Sequence, residues 1–214
     1  MTLRAVLFDL DGTIADTLQL CYLAFRNAVS QSGGRVLSDA EIHALFGPSE
    51  DGMMQRVLPD GWPAALDVYF GEYERLLPMC PAIVPELVSV LALLKTCRIR
   101  TGLVTGKSRV TTMMSLRHFR VADAFEAVET GSPGGVVKAE AIARLLDGWR
   151  VRPESAIYVG DAASDMSAAR DARVMAVGAA WASGVRESEL RAAGADVIFT
   201  SAEEFRAWVE ARTG

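Results

Sequence analysis

Val6-Leu7-Phe8-Asp9-Leu10-Asp11-Gly12-Thr13 is the stretch whose reading decides the fold: an apolar run that stops abruptly in two carboxylates, a glycine and a hydroxyl. Val6, Leu7 and Phe8 are uninterrupted by polar residues and read as a strand covered on both faces, as in a parallel sheet flanked by helices. Side chains at i and i+2 of an extended chain point the same way, so Asp9 and Asp11 leave the strand end on one side. Gly12 permits a sharp exit, and open α/β sheets bind ligands beyond the carboxyl ends of their strands. Two acids aimed at one crevice repel each other unless a cation or a proton lies between them. Alone, Asp-x-Asp-Gly is as readily a turn after a strand, because Asp and Gly are common turn formers. What recurs downstream tips the balance.

Composition narrows the classes. The 214 residues suffice for one sizeable domain or a core with an insert, and half of them are apolar. A net charge of −5 leaves no basic footprint for nucleic acid. Cys21, Cys80 and Cys97 are odd in number and widely spaced, which suggests reduced thiols in a cytoplasmic protein rather than a disulfide frame or a zinc site. The first apolar run is short and broken by Asp9, unlike a signal peptide, and no stretch approaches a membrane span. Lys95, Lys107 and Lys138 are the chain's three lysines, so each matters individually.

In chain order, a first strand covers about Arg4 to Phe8, and a helical stripe of Leu20, Leu23, Ala24 and Ala28 follows Asp16. Ser38-Asp39-Ala40-Glu41 has the form of a capping box. Gly61, Pro63 and Gly71 are expected to divide the next stretch into short helices. No strand pattern interrupts residues 17–76, and Pro78, Pro81 and Pro85 crowd the return. Thereafter strands and helices alternate: strands at Thr101–Thr105, near Ala124–Val128, at Ala156–Val159, at Arg173–Val177 and at Asp196–Phe199. Ser201-Ala202-Glu203-Glu204 is a second capping box before a terminal helix. The fold class is therefore α/β, with a Rossmann-like parallel-sheet core formed by residues 1–15 and 81–214 and an inserted α-helical unit at residues 16–80.

Strand ends deliver Asp9 and Asp11, then Thr105 with Gly106, then Asp161 with Asp165 close behind, while Lys138 opens a helix after the third strand. In a parallel sheet these ends share one edge, so groups distant in sequence converge. His43 and His118 are lone histidines in helical surroundings and read as packing or surface residues. The stretch Gly47-Pro48-Ser49-Glu50, with Arg56, is expected nearest the site from the inserted helices, and is equally read as a helix terminus with solvated polar residues.

These motifs resemble the haloacid dehalogenase superfamily, and within it the phosphoglycolate phosphatase-like group with a helical cap. Asp9-Leu10-Asp11-Gly12-Thr13 is similar to its first motif, Leu103-Val104-Thr105-Gly106 to the second, Lys138 to the third and Gly160-Asp161-Ala162-Ala163-Ser164-Asp165 to the fourth. The chain departs from the family pattern with Ala139 rather than proline after the lysine, Pro81-Ala82 rather than Pro-Gly at the return, and Arg173 where glycine is common. The resemblance implies a magnesium-dependent phosphatase acting on a small, phosphoglycolate-like phosphate monoester through an aspartyl-phosphate. It implies Asp9 as nucleophile and Asp11 as general acid and base. Mg2+ would be held by Asp9, the Asp11 carbonyl and Asp161, and phosphate by Thr105, Gly106 and Lys138. Asp165 would hold a metal-bound water or the lysine. Ser108 and Gly106 would assist through backbone amides, or be merely structural.

Dehalogenases of this superfamily lack the second aspartate, so Asp11 disfavours dehalogenation. Phosphonate hydrolases use a cap lysine, and residues 17–80 contain none. A hexose phosphate mutase remains open. Its cap normally offers basic groups to a second phosphate, whereas residues 20–76 carry four arginines against eight acids, a net of −4. A catalytically silent binding protein on the same scaffold, or a metal-binding sensor, remains open too. Lys107 rivals Lys138 for the phosphate-binding role. The expected partner is a small phosphate ester, with neither nucleic acid nor membrane, in a monomer or homodimer.

Overall fold

A computed structural model describes residues 2–135 and 137–213. The first strand, β1 (Ala5–Phe8), is buried on both faces throughout. Val6 and Phe8 point into one apolar layer, and Ala5 and Leu7 into the other. After it come four helices without an intervening strand: α1 (Leu18–Gln31), α2 (Asp39–His43), α3 (Glu50–Val57) and α4 (Trp62–Leu76). Helix α5 (Pro85–Thr96) returns the chain to β2 (Arg100–Val104), α6 (Arg109–His118) and β3 (Ala127–Glu129). The remainder alternates as α7 (Lys138–Trp149), β4 (Ala156–Gly160), α8 (Ala163–Asp171), β5 (Met175–Ala179), α9 (Glu187–Ala192), β6 (Val197–Phe199) and α10 (Ala202–Thr213).

The six strands form one parallel sheet in the order β3-β2-β1-β4-β5-β6. The chain thus runs outward from β1 in one direction, then crosses back to β4 and runs outward in the other. The carboxyl ends of β1 and β4 flank the switch point, where an open α/β sheet leaves a ligand crevice. Helices α5 and α10 cover one face through Leu87, Leu91, Phe205 and Val209. Helices α7 and α8 cover the other through Ile142, Leu146, Met166 and Ala169. The fold is the α/β core with an inserted helical cap that the sequence predicts.

The cap has its own apolar centre, with Phe25 and Val29 of α1 against Met54 of α3 and Tyr69 and Tyr73 of α4. Gly71 does not divide a helix here: it lies within the 15-residue α4. A mid-helix glycine costs about 1 kcal/mol relative to alanine, and the buried Tyr69 and Tyr73 on either side outweigh it. Ser38 and Glu41 close the expected capping box at α2. At α10 the second box is altered. Ser201 Oγ accepts from the Glu204 amide at 3.2 Å, but the Glu204 carboxylate reaches back to the Thr200 amide at 3.2 Å.

Two strand starts shift by two residues or more from the expected positions. The third strand begins at Ala127 because residues Ala122–Ala124 form a short 3-10 turn. The fifth begins at Met175 because Arg173 ends a helix in the left-handed conformation, φ 60°. Arg98, Arg120 and Arg150 take the same conformation after α5, α6 and α7. At Arg173 the Val174 amide bonds back to Ala169 O at 3.0 Å and the Arg173 amide to Arg170 O at 2.9 Å, the paired closure that favours glycine. That geometry explains why glycine suits the position in similar sequences.

The left-handed conformation costs a residue bearing a side chain roughly 1–2 kcal/mol, partly offset by glycine's greater freedom when unfolded. Arg173→Gly is therefore expected to stabilise the protein by about 0.5–1 kcal/mol. Urea unfolding checks this as a higher midpoint with an unchanged slope; a lower midpoint contradicts it.

Candidate active site

The site grows from the ends of β1, β2 and β4. The Asp9 amide continues the β1–β4 ladder to Val159 O at 2.9 Å, placing the Asp9 side chain at the strand tip, buried. Gly12 follows with φ 72°, and a Cβ there would lie 2.2 Å from Asp161 Oδ2. Only glycine lets this turn pass so close to the β4 end. A Cβ on Gly160 would likewise meet the Asp165 Cβ at 2.4 Å.

Asp9, Asp161 and Asp165 each offer an oxygen within 4.8 Å of the others. They are not equivalent. Asp165 is fully buried and engaged: Oδ1 accepts from Lys138 Nζ at 2.6 Å and from the Tyr158 hydroxyl at 3.2 Å, and Oδ2 from the Ala162 amide at 3.0 Å. Tyr158, on the central strand β4, shares its one hydroxyl proton between Asp165 Oδ1 and Val104 O, the latter at 2.8 Å, and burial keeps its hydroxyl protonated well beyond its ordinary range. Lys138 Nζ stands 3.0 Å from Asp9 Oδ2. Burial opposes its charge, but Asp165 and Asp9 together hold the ammonium above its usual range. Asp9 Oδ1, by contrast, is buried with no hydrogen-bond partner. Burial drives the Asp9 carboxyl up to about 7, Lys138 works against the rise, and the neighbouring Asp165 and Asp11 add to it. Asp161 is also raised well above the carboxylate range, by burial first and then by Asp165 and Asp9.

Asp9 and Asp161 therefore fit a hard divalent cation. Asp9 carries an orphaned buried oxygen and clusters with a second desolvated carboxylate, and oxygen-only donors suit Mg2+. Asp165 is already occupied by Lys138 and holds the lysine rather than a ligand position.

On the cap side, Asp11 Oδ1 accepts from the Thr17 hydroxyl at 2.5 Å and lies 3.3 Å from Lys107 Nζ. Thr17 precedes α1 without capping it; its hydroxyl serves Asp11 instead. Lys107 is buried among Asp11, Glu50 Oε1 at 3.8 Å, Cys21 Sγ at 3.1 Å and the Tyr73 ring, whose centroid is 4.4 Å away. Burial opposes the Lys107 charge, but Asp11 heads the groups that raise it well above its ordinary range. The two lysines are thus divided: Lys138 faces Asp9, and Lys107 faces Asp11. Thr105 and Gly106 line the same cavity.

Glu50, at the first turn of α3, joins cap to core. Its carboxylate accepts from the Ser108 amide at 2.5 Å and from the Thr111 hydroxyl, at the start of α6. The Ser108 amide is thereby committed to Glu50, which favours the structural one of its two readings. Nearby, the Ser49 amide donates to Ser132 O at 3.0 Å, and the Tyr73 hydroxyl pairs with Ser115 Oγ at 2.8 Å. Arg56 is exposed and outside the cavity wall, whereas His43 lines it and pairs with the Tyr22 hydroxyl at 3.0 Å. Thr17, Cys21 and Tyr158 have no motif in the sequence. Periodicity alone marks them as helix or strand residues, and their polar atoms matter because of what folds against them.

No helix among the described residues is long and apolar enough to cross a membrane. A family model of haloacid dehalogenase-like hydrolases matches residues 6–179. A putative pyrophosphatase PpaX from Caldanaerobacter subterraneus subsp. tengcongensis is 32% identical over 187 residues, which is 85% of this chain and 83% of that one. A phosphoglycolate phosphatase from Synechococcus elongatus is 28% identical over 87% of this chain and 88% of its own. Among solved structures, a predicted phosphoglycolate phosphatase from Haemophilus somnus 129PT shares the fold, with a TM-score of 0.80 at 19% identity over 98% of this chain and 99% of that one. With the family model running from β1 to the end of β5, the chain belongs to the haloacid dehalogenase-like hydrolase family.

Proposed function

We propose that the protein is a magnesium-dependent phosphatase that hydrolyses a small phosphate monoester through a phosphorylated Asp9. In this reading, residues 16–80 act as the cap over a core of residues 1–15 and 81–214. The observation that carries it is the unpartnered, buried Asp9 Oδ1 beside Asp161, with Lys138 on the other oxygen of Asp9. Mg2+ would be held by the carboxylates of Asp9 and Asp161 and by the Asp11 carbonyl, and when bound would neutralise phosphoryl oxygens and keep Asp9 ionised.

An Asp9 oxygen attacks phosphorus, forming the acyl phosphate as the bond from phosphorus to the leaving oxygen breaks. Asp11 delivers its proton to that oxygen, then takes one from the water that cleaves the acyl phosphate and regenerates Asp9. Thr105 and Lys138 bind the phosphoryl oxygens as charge gathers on them. Lys107 and Thr17 hold Asp11 in place. Asp165 and Tyr158 aim Lys138. A mutase would need a second phosphate site, and the cavity wall carries no arginine among the described residues.

Asp9→Asn, and removal of Mg2+ with a chelator, are each expected to abolish hydrolysis of an aryl phosphate. Retention of turnover in either case overturns the reading. Asp11→Asn is expected to lose steady-state turnover yet still accumulate phosphoenzyme from an ester with a good leaving group, seen by intact-protein mass spectrometry; equal loss of both steps removes its acid/base role. Lys138→Ala is expected to lower turnover by at least about 100-fold, and Lys107→Ala to slow a poor leaving group more than a good one. A Lys107→Ala variant that is dead while Lys138→Ala is active reverses the two assignments.

A further inference from the structure

Above the carboxylates, the cap and core enclose a cavity of about 430 Å³, at the small end of ligand pockets. Its floor is Asp9, Thr105, Lys138 and Asp161, and its upper wall is built from all four cap helices and the turn between α2 and α3. Apart from Glu50 and from His43, whose Nδ1 pairs with the Tyr22 hydroxyl, that wall is mostly apolar. Leu18 and Phe25 come from α1, Ile42 from α2, Met53 from α3 and Tyr69 from α4, with Phe46 from the turn before α3. Phe46 packs against His43 and stacks on Tyr22, its ring centroid 5.7 Å from that of Tyr22.

The charged groups of the cavity are distributed unevenly. Lys138 is shared between Asp9 and Asp165 at the floor. Lys107 is shared between Asp11 and Glu50, so the upper charged cluster has two carboxylates for one ammonium. No arginine lines the cavity among the described residues. A leaving group carrying its own phosphate or carboxylate would meet Glu50 and Asp11 with both lysines already shared among carboxylates. An apolar one would meet the aromatic and aliphatic side chains of the cap wall.

Resting on the phosphatase reading above, we infer that the cavity selects phosphate monoesters whose leaving group is uncharged and apolar, an aryl or arylalkyl alcohol of about one ring. The cap wall recognises the ring by burial, and the Glu50–Lys107–Asp11 cluster rejects a second anion. This differs from both glycolate and inorganic phosphate as leaving groups.

The test uses the full chain with Mg2+ in two arms. Hydrolysis of benzyl phosphate, phosphoglycolate and pyrophosphate is compared by kcat/KM. Binding of the non-hydrolysable benzylphosphonate and phosphonoacetate is compared by titration calorimetry. Benzyl phosphate is expected to lead by at least about tenfold, and benzylphosphonate to bind at least about tenfold tighter, the scale of discrimination that apolar pockets reach. Phe46→Arg changes a residue 38% exposed at the cavity wall. It is expected to raise kcat/KM for phosphoglycolate relative to benzyl phosphate by about tenfold or more. Turnover with phosphoglycolate or pyrophosphate equal to or ahead of benzyl phosphate overturns the inference and leaves the phosphatase reading intact. No turnover of any ester, with benzylphosphonate still preferred, overturns the phosphatase reading and supports the pocket chemistry. Tighter binding of phosphonoacetate overturns the pocket chemistry whatever the turnover.

Discussion

Like charges brought together out of water are the constraint that shapes this protein. Asp9, Asp11, Asp161 and Asp165 meet at the edge of one sheet, with Lys107 and Lys138 as their buried counter-charges. Desolvated carboxylates in such proximity are stable only when protonated, paired or shared with a cation. The structure uses pairing for Asp165 and Asp11 and leaves Asp9 and Asp161 without enough of it. Burial consequently lifts both carboxyls out of their ordinary range. On the proposed reading, a phosphoryl group with a divalent cation is the complementary object: it would bring positive charge to the unpaired oxygens and negative charge to Lys138.

Holding that arrangement requires specific backbone. The sheet order places β1 and β4 side by side at the switch point, so Asp9 and Asp161 become neighbours though far apart in the chain. Gly12 allows the turn after β1 to press against Asp161, and Gly160 allows the start of α8 to bring Asp165 beneath. Tyr158 then spends its one hydroxyl proton within reach of Val104 O and Asp165. An aromatic residue inside a central strand thus acts as a fixed polar strut, and the lysine aimed at Asp9 depends on it.

The α/β class, the helical insertion and the four convergent motifs are legible in the sequence because each rests on local periodicity or on short-range spacing. Asp9 and Asp11 are two residues apart on a strand end, and Lys138 opens a helix at the expected place. What spacing does not encode is which charge faces which. The division of Lys138 to Asp9 and Lys107 to Asp11 depends on how the loop after β2 meets the cap and how the start of α7 meets Asp9 and Asp165, a long-range matter. Glu50 shows the same limit. In the sequence it is one more acid in a first helical turn, and in the fold its carboxylate caps α6 from another part of the chain. Gly71 fails in the opposite sense: a local breaker signal is overridden by the tyrosines buried beside it.

Cap and core also divide the physical work of recognition. The core supplies charge, and it does so with strand ends and a helix start that the sheet holds rigid. On the proposed reading the cap supplies shape, since apart from His43 its wall is mostly aromatic and aliphatic and, among the described residues, its one inward acid, Glu50, is committed to the α6 terminus. Lys107 belongs to both: it stems from the core, touches the cap residues Glu50, Cys21 and Tyr73, and balances Asp11. Any displacement of the cap that carried Glu50, Cys21 and Tyr73 away would leave Lys107 with Asp11 alone and open both to water. The position of Asp11 is in that way tied to the seating of the cap, and in the proposed mechanism proton delivery to the leaving group depends on that same contact.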